Sequence, residues 1–269
     1  MQVTDFLQQG AKRLDNEGIE SAKLDMELFL AFVLSKPRTW IHAHSEYELN
    51  KSEQKVLEDL LTRRLNQESV AYITGLKEFY GRDFLVSSDV LVPRPESENL
   101  IDIIKTLEVS DIKFIDIGTG SGCLAITIAL EQPTWSGTAT DISQEALNVA
   151  KQNAKNLKAN NLVFKVQNLL DDDTENYDLV IANLPYVPNN LRNKPDLAHE
   201  PEIALFAEHD GLALYEELFQ QIFARQHKPS HILTESLKTQ HIDIEELAKD
   251  AGYRLEETKG LIQHYVPVS

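Results

Sequence analysis

Asn183-Leu184-Pro185-Tyr186 follows the apolar run Tyr177-Asp178-Leu179-Val180-Ile181. A turn after a buried strand needs Asn and Pro, but it has no need of an aromatic ring. Together the four residues suit a flat, polar, nitrogen-bearing group. The Asn183 side-chain oxygen and the Leu184 backbone carbonyl can each accept one N–H, and Tyr186 can stack on the flat group and keep water away. An amide or aryl-amine nitrogen shares its lone pair with a π-system and is a poor nucleophile. A site that makes it react must hold both hydrogens and aim the nitrogen. A second pattern lies upstream, where Asp116-x-Gly118-x-Gly120-x-Gly122 follows the apolar stretch 113–117, with Thr119 and Ser121 between the glycines. The third glycine of a dinucleotide fingerprint would fall at position 123, which is Cys, so the loop argues against a nicotinamide ligand and for a different adenosyl ligand. Asp116 is placed to accept from a ligand ammonium or to order the loop. Asp141, 25 residues on, is placed to take ribose hydroxyls.

These residues need a scaffold. Residues 1–72 have helical spacing: Phe6, Leu7, Ala11 and Leu14 in one segment, Ala22, Met26, Phe29, Leu30 and Val33 in the next, and Leu57, Leu60, Leu61 and Leu65 in a third. Ser21 is a candidate N-cap, and Asn50 with Glu53 forms the pattern of a capping box. Residues 73–98 read as a hairpin followed by an extended segment, because Arg94 is held out of helix by the proline after it. Residues 99–269 alternate strand and helix, with strands expected at 113–117, before Asp141, at 161–166, 177–183 and 231–236, and two more in the tail. Such alternation makes a mostly parallel α/β sheet with helices on both faces and ligands at the carboxyl ends of the strands.

Composition narrows the function. The formal net charge is −17, and there is no Lys/Arg-rich tract, so stable nucleic-acid binding is not expected. A single cysteine, Cys123, excludes an internal disulfide and a cysteine-based zinc site. Its place at a helix start could lower its pKa, but a small buried filler is the expected role. His42 and His44 lack nearby acidic or cysteine partners, and no metal is expected. The N-terminal residues lack the apolar run of a signal peptide, and no stretch is apolar enough for a membrane span, so a cytoplasmic protein is expected. Asp171-Asp172-Asp173 reads as a solvated loop.

The glycine loop with its two aspartates resembles that of class I S-adenosylmethionine-dependent methyltransferases, and Asn183–Tyr186 resembles the Asn/Asp/Ser-Pro-Pro-aromatic pattern of enzymes that methylate planar nitrogens. The motif alone leaves adenine N6 of RNA or DNA open as an acceptor. Val70-Ala71-Tyr72-Ile73, Gly75, Glu78-Phe79, Gly81, Phe84 and Pro93-Arg94-Pro95-Glu96 resemble the segment joining the two domains of the release-factor glutamine methyltransferases, the HemK/PrmC family. Glu200-Pro201, Ala204-Leu205, Asp210-Gly211-Leu212 and Tyr215 resemble a downstream stretch of the same family.

The resemblance covers essentially the whole chain. It implies a Rossmann-like, mostly parallel seven-stranded sheet with a small N-terminal helical domain that docks the substrate. It also implies S-adenosyl-L-methionine as cofactor and release factors as partners; nothing in the sequence demands more than a monomer. The substrate would be the glutamine of their Gly-Gly-Gln loop, methylated at N5. It assigns the cofactor to Asp116, Gly118, Thr119, Gly120, Ser121, Gly122, Asp141, Asn168, Leu169 and Asn183, and catalysis and substrate binding to Asn183, Leu184, Pro185 and Tyr186. Leu184 departs from the family's first proline. Asn168 or Leu169 stands where the family often has an Asp followed by an aromatic beside the adenine. Arg94 and Glu96 are expected either to fix the joining segment near the donor or to form structural ion pairs.

Overall fold

The computed structural model describes residues 1–192 and 200–268. The chain divides into two compact units, Met1–Leu76 and Lys77–Ser269. The first contains α1 (Val3–Asn16), α2 (Ala22–Leu34), α3 (Arg38–Ala43), α4 (Lys51–Leu65) and α5 (Val70–Thr74). The apolar stripes of α1, α2 and α4 meet in one core through Phe6, Leu14, Met26, Phe29, Leu30, Leu57 and Leu61. Burying each such side chain contributes roughly 1.5–3 kcal/mol.

At the start of α4, Asn50 Oδ1 accepts from the backbone N–H groups of Ser52 and Glu53 while Glu53 Oε2 accepts from Asn50 N, closing the expected capping box. Ser21 stands at the N-cap position of α2 but does not cap it. Its hydroxyl donates to Asp25 Oδ2 at 3.0 Å, and the same oxygen takes Arg64 Nε at 2.7 Å. The buried charge of Asp25 competes successfully for the serine proton. His42 lies beside Glu27 at 3.5 Å, and His44 stacks on Trp40.

The boundary between the units falls at the start of a hairpin, β1 (Leu76–Phe79) and β2 (Arg82–Leu85), turning through Tyr80 and Gly81, both at positive φ as such tight turns require. A 3₁₀ turn, Pro95–Ser97, leads into α6 (Glu98–Thr106). Then come β3 (Lys113–Ile117), α7 (Cys123–Glu131), β4 (Ser136–Asp141), α8 (Gln144–Leu157), β5 (Leu162–Val166) and β6 (Leu179–Ala182). Two short strands, β7 (Val187–Pro188) and β8 (Phe206–Ala207), pair with each other. The chain continues through α9 (Ala213–Ala224), β9 (His231–Glu235), α10 (His241–Asp250), β10 (Tyr253–Lys259) and β11 (Ile262–Pro267).

The main sheet has seven strands in the order β10-β11-β9-β6-β3-β4-β5. The strands from β9 to β5 in this order run parallel, and β11 and β10 add antiparallel. Alternation along β3 sends Phe114 to a core shared with α6 and α7 and Ile115 to a core shared with α9 and α10, so the sheet is covered on both faces. The chain starts at β3, moves outward to β4 and β5, then returns to β6 on the other side of β3. The carboxyl ends of β3, β4 and β6 therefore border the switch point where α/β sheets bind ligands.

Candidate active site

A cavity of about 620 Å³ opens at these strand ends. Of the residues expected from the sequence, Gly118, Thr119, Gly120, Ser121, Asp141, Asn168, Leu169, Asn183, Leu184 and Pro185 line it. Asp116, Gly122 and Tyr186 do not. Gly118, Gly120 and Gly122 all take left-handed backbone, with φ of 71°, 54° and 80°. Gly122 serves packing as well: a Cβ there would stand 2.8 Å from Ile126 Cδ1 and 3.1 Å from Ala150 Cβ, so its absence lets α7 and α8 close beneath the loop.

Asp116 is buried under the loop. Its Oδ2 accepts from Thr119 Oγ1 at 2.7 Å and from Ala125 N at 3.3 Å. Burial pushes its pKa up to about 6, against the pull of those two donors. Of its two expected uses, the geometry is that of loop ordering. Asp141 is half-buried at the cavity wall, with Oδ2 accepting from Gly120 N and Oδ1 from Ser143 N, each at 2.9 Å. Burial raises its pKa too. A carboxylate offers about four acceptor positions, so acceptor capacity remains for a ligand. Leu169 holds φ at 44° and lines the wall with Asn168, whose Nδ2 donates to Asp171 Oδ2 at 3.0 Å. The run 171–173 is a solvated loop, as expected, with Asp171 and Asp172 exposed, and it is also tied down by side-chain hydrogen bonds. Asp171 Oδ1 also takes Gln221 Nε2, and Asp173 Oδ2 takes the Tyr177 hydroxyl.

The loop after β6 is held at each residue except Pro185. Asn183 Nδ2 donates to Ser97 Oγ at 3.3 Å, and Leu184 N donates to the Tyr215 hydroxyl at 3.3 Å. The Tyr186 carbonyl accepts from Gln240 Nε2 at 2.8 Å, and its hydroxyl donates to Glu235 Oε1 at 3.3 Å. Burial and the neighbouring Glu235 charge raise the Tyr186 pKa. Asn183 Oδ1 and the Leu184 carbonyl receive no donor among the described residues.

Arg94 lines the cavity and pairs with the buried Glu200, whereas Glu96 has no ion pair among the described residues. Cys123 sits at the α7 start, but burial drives its pKa up to about 12, opposite to the lowering that the helix end alone suggests. Ser97, Ile142, Glu235 and Gln240 escaped the sequence reading. Ile142 and Glu235 had a usable signal, since one follows Asp141 and the other is an acid ending an apolar strand, as Asp141 is. Gln240 reaches the loop only through the tertiary fold.

Comparison with known proteins agrees with this architecture. Residues 5–75 match the PrmC N-terminal domain family, and residues 108–260 match the methyltransferase domain family. The release factor glutamine methyltransferase of Coxiella burnetii is 38% identical over 241 residues, covering 87% of this chain and 86% of that protein. A bifunctional methyltransferase of Rickettsia bellii is 33% identical over 289 residues, covering 94% of this chain but 52% of that protein, so the chain spans about half its length. Among solved structures, the hMettl16 catalytic domain in complex with the MAT2A 3′UTR hairpin 1 superposes with a TM-score of 0.59 at 16% identity, covering 89% of this chain and 90% of that one, a likeness of fold. The doubly covered sheet, its glycine-loop cavity and these two family matches in chain order lead to one assignment: the chain belongs to the release factor glutamine methyltransferase family of class I methyltransferase enzymes.

Proposed function

We propose that the chain transfers a methyl group from S-adenosyl-L-methionine to the side-chain amide nitrogen of the glutamine in the Gly-Gly-Gln motif of peptide chain release factors. One observation carries the reading. Asn183 Oδ1 and the Leu184 carbonyl are adjacent acceptors on residues that line the cavity, and no described residue donates to either. A primary amide has two N–H groups to satisfy, and this pair matches them.

The residues fit the cofactor. The cavity has room for a nucleoside with an amino-acid tail. The glycine loop offers backbone without side-chain obstruction, since a Cβ on Gly120 would meet nothing within 4 Å. Asp141 would take the ribose hydroxyls with its remaining lone pairs. Ile142, 51% exposed at the cavity wall, offers an apolar surface for a purine face, with Leu169 and Asn168 the other expected adenine contacts. Gly118, Thr119 and Ser121 would approach the amino-acid tail, on a loop that Asp116 orders from below. When bound, S-adenosylmethionine supplies an electrophilic methyl group.

The chain's own part is orientation. Asn183 and Leu184 hold the two amide hydrogens, leaving the nitrogen lone pair to face the donor. Leucine in place of proline at 184 keeps the carbonyl, and the bond from Leu184 N to Tyr215, which proline could not make, supplies rigidity instead. Pro185 stiffens the turn. Tyr186 lies outside the cavity lining and anchors the loop to Glu235, a supporting role in place of the stacking expected from the sequence. Positive charge builds on the nitrogen before a proton leaves, so no base is required ahead of attack.

The helical unit would dock the release factor. No described helix is long and apolar enough to cross a membrane, and a monomer working in the cytoplasm suits this reading. The test is peptide mass spectrometry of a release factor incubated with the enzyme and S-adenosylmethionine. One added methyl on the Gly-Gly-Gln peptide, absent with Asn183→Ala, is the expected result. No added methyl, with cofactor binding intact, overturns the substrate assignment and directs the search to adenine in RNA or DNA.

A further inference from the structure

The side-chain amide of Asn183 has two ends of nearly the same shape, one a donor and the other an acceptor. Only the acceptor end is useful to a substrate N–H. Its neighbour Ser97 Oγ, at 3.3 Å, cannot by itself choose between the ends, because a hydroxyl can accept from Nδ2 or donate to Oδ1. A third group is needed to break the tie.

Glu235 is that group. The parallel register pairs Ala182 with Thr234, so Asn183 and Glu235 leave the sheet at the same level on neighbouring strands. The Glu235 side chain is 1% exposed and does not line the cavity. Its Oε1 takes the Tyr186 hydroxyl, while Oε2 is buried and makes no hydrogen bond to any described residue. A buried carboxylate oxygen without a donor is costly, and a rotatable hydroxyl nearby is the natural supply. Burial raises the Glu235 pKa, and Ser97, itself 2% exposed, stands close enough to the carboxylate to oppose that rise in part, as does Tyr186. Arg94 also favours the charged form, and Glu96 opposes it.

We propose that Glu235, acting through the Ser97 hydroxyl, holds the Asn183 amide with its oxygen toward the cavity, which makes Glu235 and Ser97 positioning residues for the acceptor nitrogen. An ionised carboxylate only accepts, so the serine proton turns to it. The serine lone pairs then face Asn183, and only the NH₂ end satisfies them. A neutral amide at position 235 removes this constraint: the serine proton becomes free to turn to Asn183 Oδ1, and the side chain flips. The inference rests on the reading of Asn183 as the group that holds the substrate amide.

The test compares Glu235→Gln, Ser97→Ala and the double variant with the wild type and Asn183→Ala. Turnover is measured on a release factor, cofactor affinity by calorimetry, and the Asn183 side-chain NH₂ signal by ¹⁵N NMR, assigned by its loss in Asn183→Ala. Each single variant is expected to lower kcat by on the order of ten- to a hundred-fold, as when a partner that orients a functional side chain is removed. Cofactor affinity should stay within error. The double variant should be no slower than the worse single, because both act on one hydrogen-bond chain. The Asn183 NH₂ signal should shift and lose exchange protection in both singles. Wild-type kcat in Ser97→Ala, or an unmoved Asn183 signal, overturns the proposal even if Glu235→Gln fails to fold. Near-normal turnover of Asn183→Ala, with the NMR signal still moved by the Ser97 and Glu235 changes, would instead sink the reading of Asn183 and leave the positioning chain standing.

Discussion

Replacing Asp116 by asparagine should stabilise the unliganded protein at neutral pH, even though it removes a carboxylate from the centre of the cofactor loop. Both hydrogen bonds to this side chain go to one oxygen, Oδ2, so an amide oxygen in that place keeps Thr119 Oγ1 and Ala125 N paired. The charge is what changes. Burial, reinforced by the charge of Asp141, lifts the folded-state pKa from the ordinary 3.8 to about 6. Over that window the folded chain holds a proton that the unfolded chain has released. Stability from this group is therefore complete below about pH 4, falls as pH rises through the window, and stays reduced above about pH 6. A shift of about two units at about 1.4 kcal/mol each corresponds to roughly 3 kcal/mol at pH 7. Asparagine does not titrate, so its advantage should grow from near zero at about pH 4 to about 3 kcal/mol at about pH 7. Urea unfolding of both proteins across this range, compared at a common m-value, measures it. A difference that does not vary with pH, or a variant less stable than wild type at pH 7, would refute the reasoning and show that the ionised carboxylate is stabilised where it sits.

Asp141→Ala should weaken S-adenosylmethionine binding by about 1.5–3 kcal/mol, the scale for hydrogen bonds to a charged acceptor, read by calorimetry. Unchanged affinity would remove it from the ribose site. Gly211→Ala should destabilise the protein by about 1–3 kcal/mol, because left-handed backbone there is strained for alanine. At φ of 90° its Cβ would come 2.1 Å from the Tyr186 carbonyl and 2.4 Å from Gln240 Nε2. Transfer should also fall as the loop shifts, and wild-type stability with full activity would contradict this packing. Tyr215→Phe should cost about 1–3 kcal/mol, the penalty for a buried N–H without a partner, since Leu184 N has no other acceptor among the described residues. An unmoved urea midpoint would show that Leu184 finds another acceptor.

Local rules made much of the chain legible. The capping box of α4 lies within four consecutive residues, and the apolar periods of α1, α2 and α4 match the core they build. The strand-loop-helix at 113–131 was readable because Gly118, Gly120 and Gly122 answer a need of the backbone itself. Ser21 takes the N-cap position expected of it, but its backbone is not extended and its hydroxyl turns to Asp25 rather than to a backbone N–H, a choice between two nearby partners that spacing alone does not make. Cys123 was open to a lowered pKa because its helix position is local and its burial is not.

The sequence by itself determined the apolar stripes of α1, α2 and α4, the seven main-sheet strands along the chain, the glycine loop, the placing of Asp141 at a strand end and the presence of an amide-proline-aromatic loop after β6, all of which depend on backbone preference and spacing along a few residues. Tertiary structure alone decided what those groups face. It put Asp116 beneath the loop rather than in the cavity, and it drew Tyr186 out of the cavity lining to Glu235. It set Ser97 beside Asn183 across 86 positions of chain. The physical reason is range: backbone preference acts between neighbours in sequence, whereas hydrogen bonding and burial act between neighbours in space, and the sheet register settles who those neighbours are.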